Sequence, residues 1–214
     1  LVSVMWPAWV WARKPETRWL FASYAQSLST RDALKMRRLI MSPWYQRLWG
    51  ERYMLTTDQN AKMRFENDRT GYRIATSVGA IATGEGGDVV AVDDPHSASQ
   101  ARSEAERENA LVWWDETMST RLNDMRKGAK VVIMQRLHER DLSGHILAQG
   151  GYEHLCLPAE YELDSHCVTS VGADQRTEAG EPIWPERMGN DDLAEQRKAL
   201  GEVGFAGQYQ QRPM

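Results

Sequence analysis

The chain is predicted to be α/β, a mostly parallel sheet flanked by helices, and three observations carry that prediction. The run Val89-Val90-Ala91-Val92-Asp93-Asp94-Pro95 sets four apolar residues before two adjacent carboxylates, as a buried strand does when it delivers acid groups to its own carboxyl end. A second run, Lys130-Val131-Val132-Ile133-Met134-Gln135-Arg136, repeats the pattern, apolar without alternation and then polar. Between them Leu111, Trp114, Met118 and Leu122 recur at helical spacing, so the three pieces read as a βαβ unit. In open α/β sheets the chemistry collects just beyond the carboxyl ends of the strands. Asp93, Asp94, Gln135 and Arg136 are therefore expected to converge on one crevice.

With 214 residues and 42% apolar content the chain can bury one sizeable core. A formal net charge of -4 gives no overall nucleic-acid signature, so any DNA contact has to come from local patches. Cys156 and Cys167 are too few for a disulfide framework and fit a reducing cytoplasm. The one long apolar stretch, residues 1 to 11, is too short to span a bilayer, contains Pro7 and runs into Arg13 and Lys14. It also lacks the small-residue cleavage site of a signal peptide.

In chain order, residues 2 to 12 read as a helix that is apolar nearly all round, as a helix packed against a sheet would be. Residues 19 to 24 read as a strand. Residues 29 to 41 read as a helix with Arg31, Lys35, Arg37 and Arg38 on its polar side. That cluster is the best local candidate for a phosphate-backbone contact, against the alternative of an ordinary solvated helix face. An irregular stretch through Trp44, Tyr45, Trp49 and Tyr53 follows. Residues 63 to 65 and 72 to 75 then flank Asn67-Asp68-Arg69-Thr70-Gly71 as a hairpin. A Gly-rich segment, residues 79 to 87, leads into the acidic strand.

Ser97 and Gln100 have the spacing of a capping box, and the helix they are expected to open buries the Leu111 face. Gly128 closes that region. Residues 141 to 149 read as a short helix and residues 153 to 157 as a further strand. Residues 160 to 187, which lack periodicity and hold Gly172, Gly180, Pro182 and Pro185, read as a loop. Polar amphipathic helices over residues 191 to 200 and 203 to 211 close the chain. His138, His145, His154, Cys156, His166 and Cys167 show no recurrent zinc-ligand spacing. The organisation expected is a core over residues 1 to 160, then a loop excursion and C-terminal helices over residues 161 to 214.

Three motifs in this order resemble the large terminase subunit of tailed bacteriophages. They are Thr83-Gly84-Glu85-Gly86-Gly87-Asp88 leading into the acidic strand, the segment from Val131 through Gln135-Arg136-Leu137-His138-Glu139-Arg140-Asp141 to Leu147, and Phe205-Ala206-Gly207-Gln208-Tyr209-Gln210-Gln211-Arg212-Pro213. The resemblance covers nearly the whole chain. It implies an additional-strand P-loop NTPase fold and the ATPase half of a motor that packages double-stranded DNA. It further implies ATP and magnesium as cofactors, and a homo-oligomeric ring at the portal protein that works with the small terminase subunit. The place of work would be the host bacterial cytoplasm, transiently at the procapsid, with no membrane involved. On these positions it assigns magnesium to Asp93, and to Asp94 the water that attacks the γ-phosphate. Gln135 and Arg136 would sense the phosphate and couple its loss to movement, against the alternative that Arg136 pairs with a carboxylate such as Asp93 or Asp141 as a buried ion pair with no catalytic role.

The chain departs from that family's pattern in three places. No Gly-x-x-x-x-Gly-Lys-Ser/Thr occurs in it. In the family that loop directly precedes the apolar helix that residues 1 to 12 match, so the sequence is expected to start just downstream of it, without the strand ahead of it, and to hydrolyse little ATP alone. Many relatives carry Glu where Asp94 stands. Thr83 stands where some carry an arginine that reaches a neighbouring subunit's nucleotide, leaving Arg69, Arg73 and Arg102 as substitutes. The family's nuclease domain would follow Pro213, and the sequence stops at Met214. The alternative readings are a non-catalytic remnant that docks to portal, small subunit or DNA, and a helicase-type ATPase.

Overall fold

The computed structural model describes residues 1 to 80 and 84 to 213. They form two compact units, Leu1–Ser97 with Glu108–Met134, and Ala98–Arg107 with Gln135–Met214.

The first unit contains, in chain order, α1 (Met5–Arg13), β1 (Trp19–Ser23), α2 (Gln26–Ile40), α3 (Pro43–Trp49), β2 (Leu55–Asn60), β3 (Arg64–Asn67), β4 (Tyr72–Ser77) and β5 (Val89–Asp93). After α4 (Glu104–Glu116) the unit ends with β6 (Ala129–Ile133). One six-stranded sheet takes the order β2-β3-β4-β1-β5-β6. β4, β1, β5 and β6 run parallel, and β3 and β2 continue the sheet antiparallel. This is the mostly parallel α/β sheet expected, with the 63–75 hairpin realised as β3 and β4.

β1 is buried at all five residues because strands cover both its edges and apolar groups pack on its faces. Around it the core joins Trp11, Trp19, Phe21, Met36, Ile40, Tyr45, Tyr53 and Phe65. Trp19 stacks on Phe21, and Trp11 meets Tyr53 and Phe65 edge-on, with centroids 5.6 and 5.7 Å away, the offset geometry that aromatic quadrupoles favour. Tyr45 donates its hydroxyl to the Ala8 carbonyl at 2.7 Å and lies 2.7 Å from the Tyr53 hydroxyl. Burial raises the pKa of both phenols.

Several elements differ from expectation for identifiable reasons. The aromatic stretch after α2 is helical over α3. Ser42 caps it by accepting from the Tyr45 N–H at 3.3 Å, and Pro43 occupies the first turn. β2 escapes the sequence because Leu55-Thr56-Thr57 and its polar continuation have no apolar alternation; it is a sheet-edge strand. β6 is half-buried where full burial was expected, because it too lies at the edge, with β5 its only strand neighbour among the described residues. α4 starts later than the Ser97–Gln100 spacing suggests: a short 3-10 turn over Gln100–Arg102 intervenes, and Ser103 caps the helix by accepting from the Glu106 N–H. Trp114 and Met118 are fully buried as expected, and Leu111 and Leu122 are half-buried.

In the second unit α5 (Leu142–Gln149) begins at Asp141, which caps it through the Gly144 N–H at 2.8 Å. Residues 153 to 157 form no strand; the Cys156 N–H points to the Cys167 thiol at 3.3 Å instead of a ladder partner. Within residues 160 to 187 a small hairpin, β7 (Val168–Thr169) and β8 (Gly172–Ala173), is present. The near-buried Arg176 organises that loop by pairing with Asp174 at 2.7 Å and donating to the carbonyls of Ala159 and Glu181. α6 (Asn190–Gln208) is broken at Gly201, whose φ of 70° is left-handed, so the two helices expected are its two halves. Among the described residues no helix is long and apolar enough to cross a membrane.

Candidate functional site

At the carboxyl end of β5 the backbone turns sharply. Asp93 is the last strand residue and Asp94 follows with φ 50°, a left-handed conformation that Asp tolerates better than most residues. Its backbone is clamped on two sides: its N–H donates to the Ile133 carbonyl at 2.8 Å, and its carbonyl accepts from the Tyr24 N–H at 2.8 Å. The neighbouring strand ends therefore dictate the turn. This answers the alternation problem, since adjacent strand residues would point to opposite faces and the left-handed turn changes the direction of the second. Asp93 is half-buried and Asp94 exposed.

Asp93 accepts a hydrogen bond from the hydroxyl of Ser3, a buried residue just ahead of α1. The Ser3 carbonyl in turn accepts from Arg73 Nη1 at 2.6 Å. Arg73 is fully buried in β4, with its guanidinium 4.0 Å above the Phe21 ring. Among the described residues its Nε and Nη2 have no hydrogen-bond partner. Burial lowers its pKa to about 9, against the opposing pull of Asp32 and Asp93, so at neutral pH it remains a cation. Arg73 thus lies in the core behind Asp93 and has no route to a neighbouring subunit. That removes it from the candidates for a trans-acting arginine. Arg69 is exposed beside Asp68, Arg102 is exposed, and Thr83 lies outside the described residues.

Gln135 and Arg136 begin the longer segment of the second unit, Gln135–Met214. Gln135 is exposed. Arg136 Nε lies 3.1 Å from both oxygens of Asp141, which is completely buried. Asp141 also accepts from the N–H groups of Leu137 at 3.1 Å and Gly144 at 2.8 Å. One carboxylate therefore ties the Arg136 side chain, the following turn and the start of α5 together. The C-terminal motif grips the same segment. The Gln211 side-chain oxygen accepts from the Arg136 N–H at 3.0 Å. A Cβ on Gly207 would fall 2.8 Å from the Arg136 carbonyl oxygen, so only glycine allows that approach. Gln210 makes a two-point amide clasp on Glu160, at 2.9 Å to its N–H and 3.0 Å to its carbonyl.

The sequence marks Asp141 as a candidate carboxylate partner of Arg136, which the structure pairs with it, but assigns no individual role to Ser3, Gly207, Gln210 or Gln211. For Asp141 a signal existed: an Asp three residues before a Gly at a helix start is a cap in waiting. For Ser3, ninety positions from Asp93, there was none.

Magnesium fits the donor set at Asp93. A carboxylate and a hydroxyl are hard oxygen donors, and magnesium takes one or two carboxylates and leaves its other positions to water and phosphate. Among the described residues no group of three or more His, Cys, Asp or Glu could hold a metal ion by itself.

No family model and no curated protein matches the chain. Among solved structures it is similar to a mutant of the large terminase ATPase domain of Thermus phage P74-26, with a TM-score of 0.58 and 13% identity over 97% of this chain and 81% of that one. At that identity the likeness is one of fold, and the fold is the P-loop NTPase-like terminase fold that the three motifs imply.

Proposed function

We propose that the chain is the ATPase part of a phage large terminase subunit, whose full-length form couples ATP hydrolysis to the packaging of double-stranded DNA. The observation that carries this reading is the acidic pair at the end of β5: a half-buried Asp93 holding the Ser3 hydroxyl, followed by an Asp94 turned outward by its left-handed backbone. P-loop NTPases hold magnesium between a Ser/Thr hydroxyl of the phosphate loop and a strand-end aspartate, the second of which Asp93 matches, and phosphoryl transfer depends mainly on positioning and charge neutralisation.

In this reading Asp93, its carboxylate oriented by the Ser3 hydroxyl, would hold magnesium, which when bound supplies positive charge to the phosphate oxygens. Asp94 orients the attacking water and takes its proton, a contribution typically worth about 10²- to 10⁴-fold in rate. Asp is one methylene shorter than Glu, and the clamp on the Asp94 backbone between Tyr24 and Ile133 fixes how far the carboxylate reaches. Gln135 and Arg136 act as the coupling segment. In the assembled motor the subunit works as a ring with the portal protein and the small terminase subunit, in the host cytoplasm. Because the 214 residues contain no phosphate-binding glycine loop, the chain by itself is expected to bind ATP weakly and to turn over little.

The test uses the full-length subunit that contains these residues. Asp94→Asn should leave nucleotide binding intact and lower turnover at least about 100-fold, whereas Asp93→Asn should weaken magnesium-dependent binding. Equal and mild losses in both variants would refute the division of roles. A full-length subunit with no ATP turnover that still binds portal would make the chain a docking module.

A further inference from the structure

Outside the acidic site, the first unit carries a groove of about 470 Å³ between α2 and the turn after β2. Arg31, Lys35, Arg38 and Lys62 line it, with Thr30 beside them and Leu34 as an apolar floor, and among the described residues no carboxylate lines it. Asp32, on the same helix, pairs with Arg31 at 2.9 Å and with Lys35 at 4.0 Å, but its side chain is 13% exposed against 52% and 56% for theirs. The anion therefore lies under the cations and orders them, while the surface that solvent meets is basic. This patch belongs to a chain whose formal net charge is -4, so it is no reflection of general composition.

We propose that this groove takes the phosphate backbone of duplex DNA without reading its sequence. The proposal rests on the terminase reading above and says which surface of the unit meets the DNA. Arg31, Lys35 and Arg38 follow one another at i, i+4 and i+7 along α2, so they form one stripe about 10 Å long. One strand of B-form DNA presents a phosphate about every 3.4 Å of helix axis, so a stripe of that length meets about three. Lys62 adds a cation from across the groove, and the Thr30 hydroxyl is of the type that donates to phosphate oxygens. Among the described residues no aromatic side chain lines the groove. Proteins that hold single strands stack the bases on aromatic rings, and the lack of such a platform selects the duplex.

The experiment measures binding of the chain to a fluorescent duplex of arbitrary sequence by anisotropy, across a salt series and without nucleotide. If all four cations meet phosphates, log affinity should fall against log salt with a slope approaching about -3.6. The Lys35→Ala/Arg38→Ala double variant, changed only at exposed positions, should lose about 1.8 from that slope, so its affinity falls about 12-fold less than wild type between 50 and 200 mM salt. Arg47→Ala, an exposed cation on α3 outside the groove, should leave the slope unchanged. The proposal is overturned by equal slopes for wild type and double variant, by tighter binding to the single strand, or by no duplex binding at low salt. Because no step needs ATP, a full-length subunit without ATP turnover would sink the ATPase reading and leave this test standing. Failure of duplex binding alongside normal turnover would sink this proposal alone.

Discussion

Replacing Asp141 with alanine is the sharpest test of whether Arg136 braces its segment or is free to reach a phosphate. Asp141 has no exposed side-chain surface, and its partner Arg136 has 15%. Breaking such a pair by removing one partner strands the other charge and costs about 3–5 kcal/mol. Loss of the cap on α5 alone costs about 1 kcal/mol, so the stranded guanidinium dominates. For a chain of this size about 4 kcal/mol corresponds to a fall in Tm of roughly 10 °C. Asp141→Asn keeps an oxygen for the Gly144 N–H but loses the charge, so it should fall between wild type and alanine. Arg136→Met combined with Asp141→Asn should recover much of that loss, because no buried charge is left unpaired. Differential scanning fluorimetry of the four proteins reads all of this. A Tm change under about 2 °C for Asp141→Ala would mean that Arg136 does not depend on Asp141, and would refute the bracing argument.

The buried Tyr45 and Tyr53 predict a pH response. Their folded-state pKa values are raised, so the unfolded chain ionises first, near pH 10, and their contribution to stability is present below about pH 10 and lost as pH rises above it; urea melts at pH 8 and 10.5 should show less of that loss in Tyr53→Phe. Gly207→Ala should destabilise by about 1–3 kcal/mol through its clash with the Arg136 carbonyl, more than the roughly 1 kcal/mol that alanine gains by helix propensity. A stabilised Gly207→Ala protein in a denaturant melt would refute that close approach. In the full-length subunit, Gln135→Ala should keep Tm and ATP binding while losing DNA packaging more severely than ATPase activity. A parallel loss of Tm, packaging and hydrolysis would make Gln135 a structural residue.

The central strands were legible because continuous apolar runs such as Val89–Val92 have one comfortable environment, a sheet covered on both faces. Edges were not. β2 is polar because it lies at the sheet's rim. β6 carries the same apolar signature as β5 although it is half-exposed, and nothing in Val131-Val132-Ile133 distinguishes the two positions. The alternation in Glu153-His154-Leu155-Cys156-Leu157 suggested a strand, yet Leu155 is 60% exposed and no ladder forms. Short alternating runs arise by chance, and only a pairing partner makes them strands. At the candidate site Asp93 and Asp94 stood out because two carboxylates at the end of an apolar run serve no packing purpose. Arg73 did not, because its burial follows from strand parity with Ala75 and from a cation–aromatic contact with Phe21, a residue of another strand.

The second motif and the C-terminal motif are far apart in sequence, and their resemblance to a motor protein acquires a physical basis from their contacts. Arg136 is held at its N–H by Gln211 and at its side chain by Asp141, and its carbonyl is closely approached by Gly207, where a Cβ would clash. Three independent constraints on one residue leave it little freedom to rotate by itself. A displacement that reaches Arg136 along the chain from β6 must then pass to α5 through Asp141 and to the end of α6 through Gly207 and Gln211. Under the proposed function, a segment built in this way would transmit movement as a rigid lever. A flexible sensor would need the opposite: a long side chain with solvent around it and one partner to leave. Gln135, the residue immediately before this clamp, is exposed and meets that requirement. Under the proposed function, sensing would fall to Gln135 and transmission to the segment from Arg136 onward, so substitutions at Arg136, Gly207 and Gln211 should damage stability together while Gln135→Ala should separate stability from coupling.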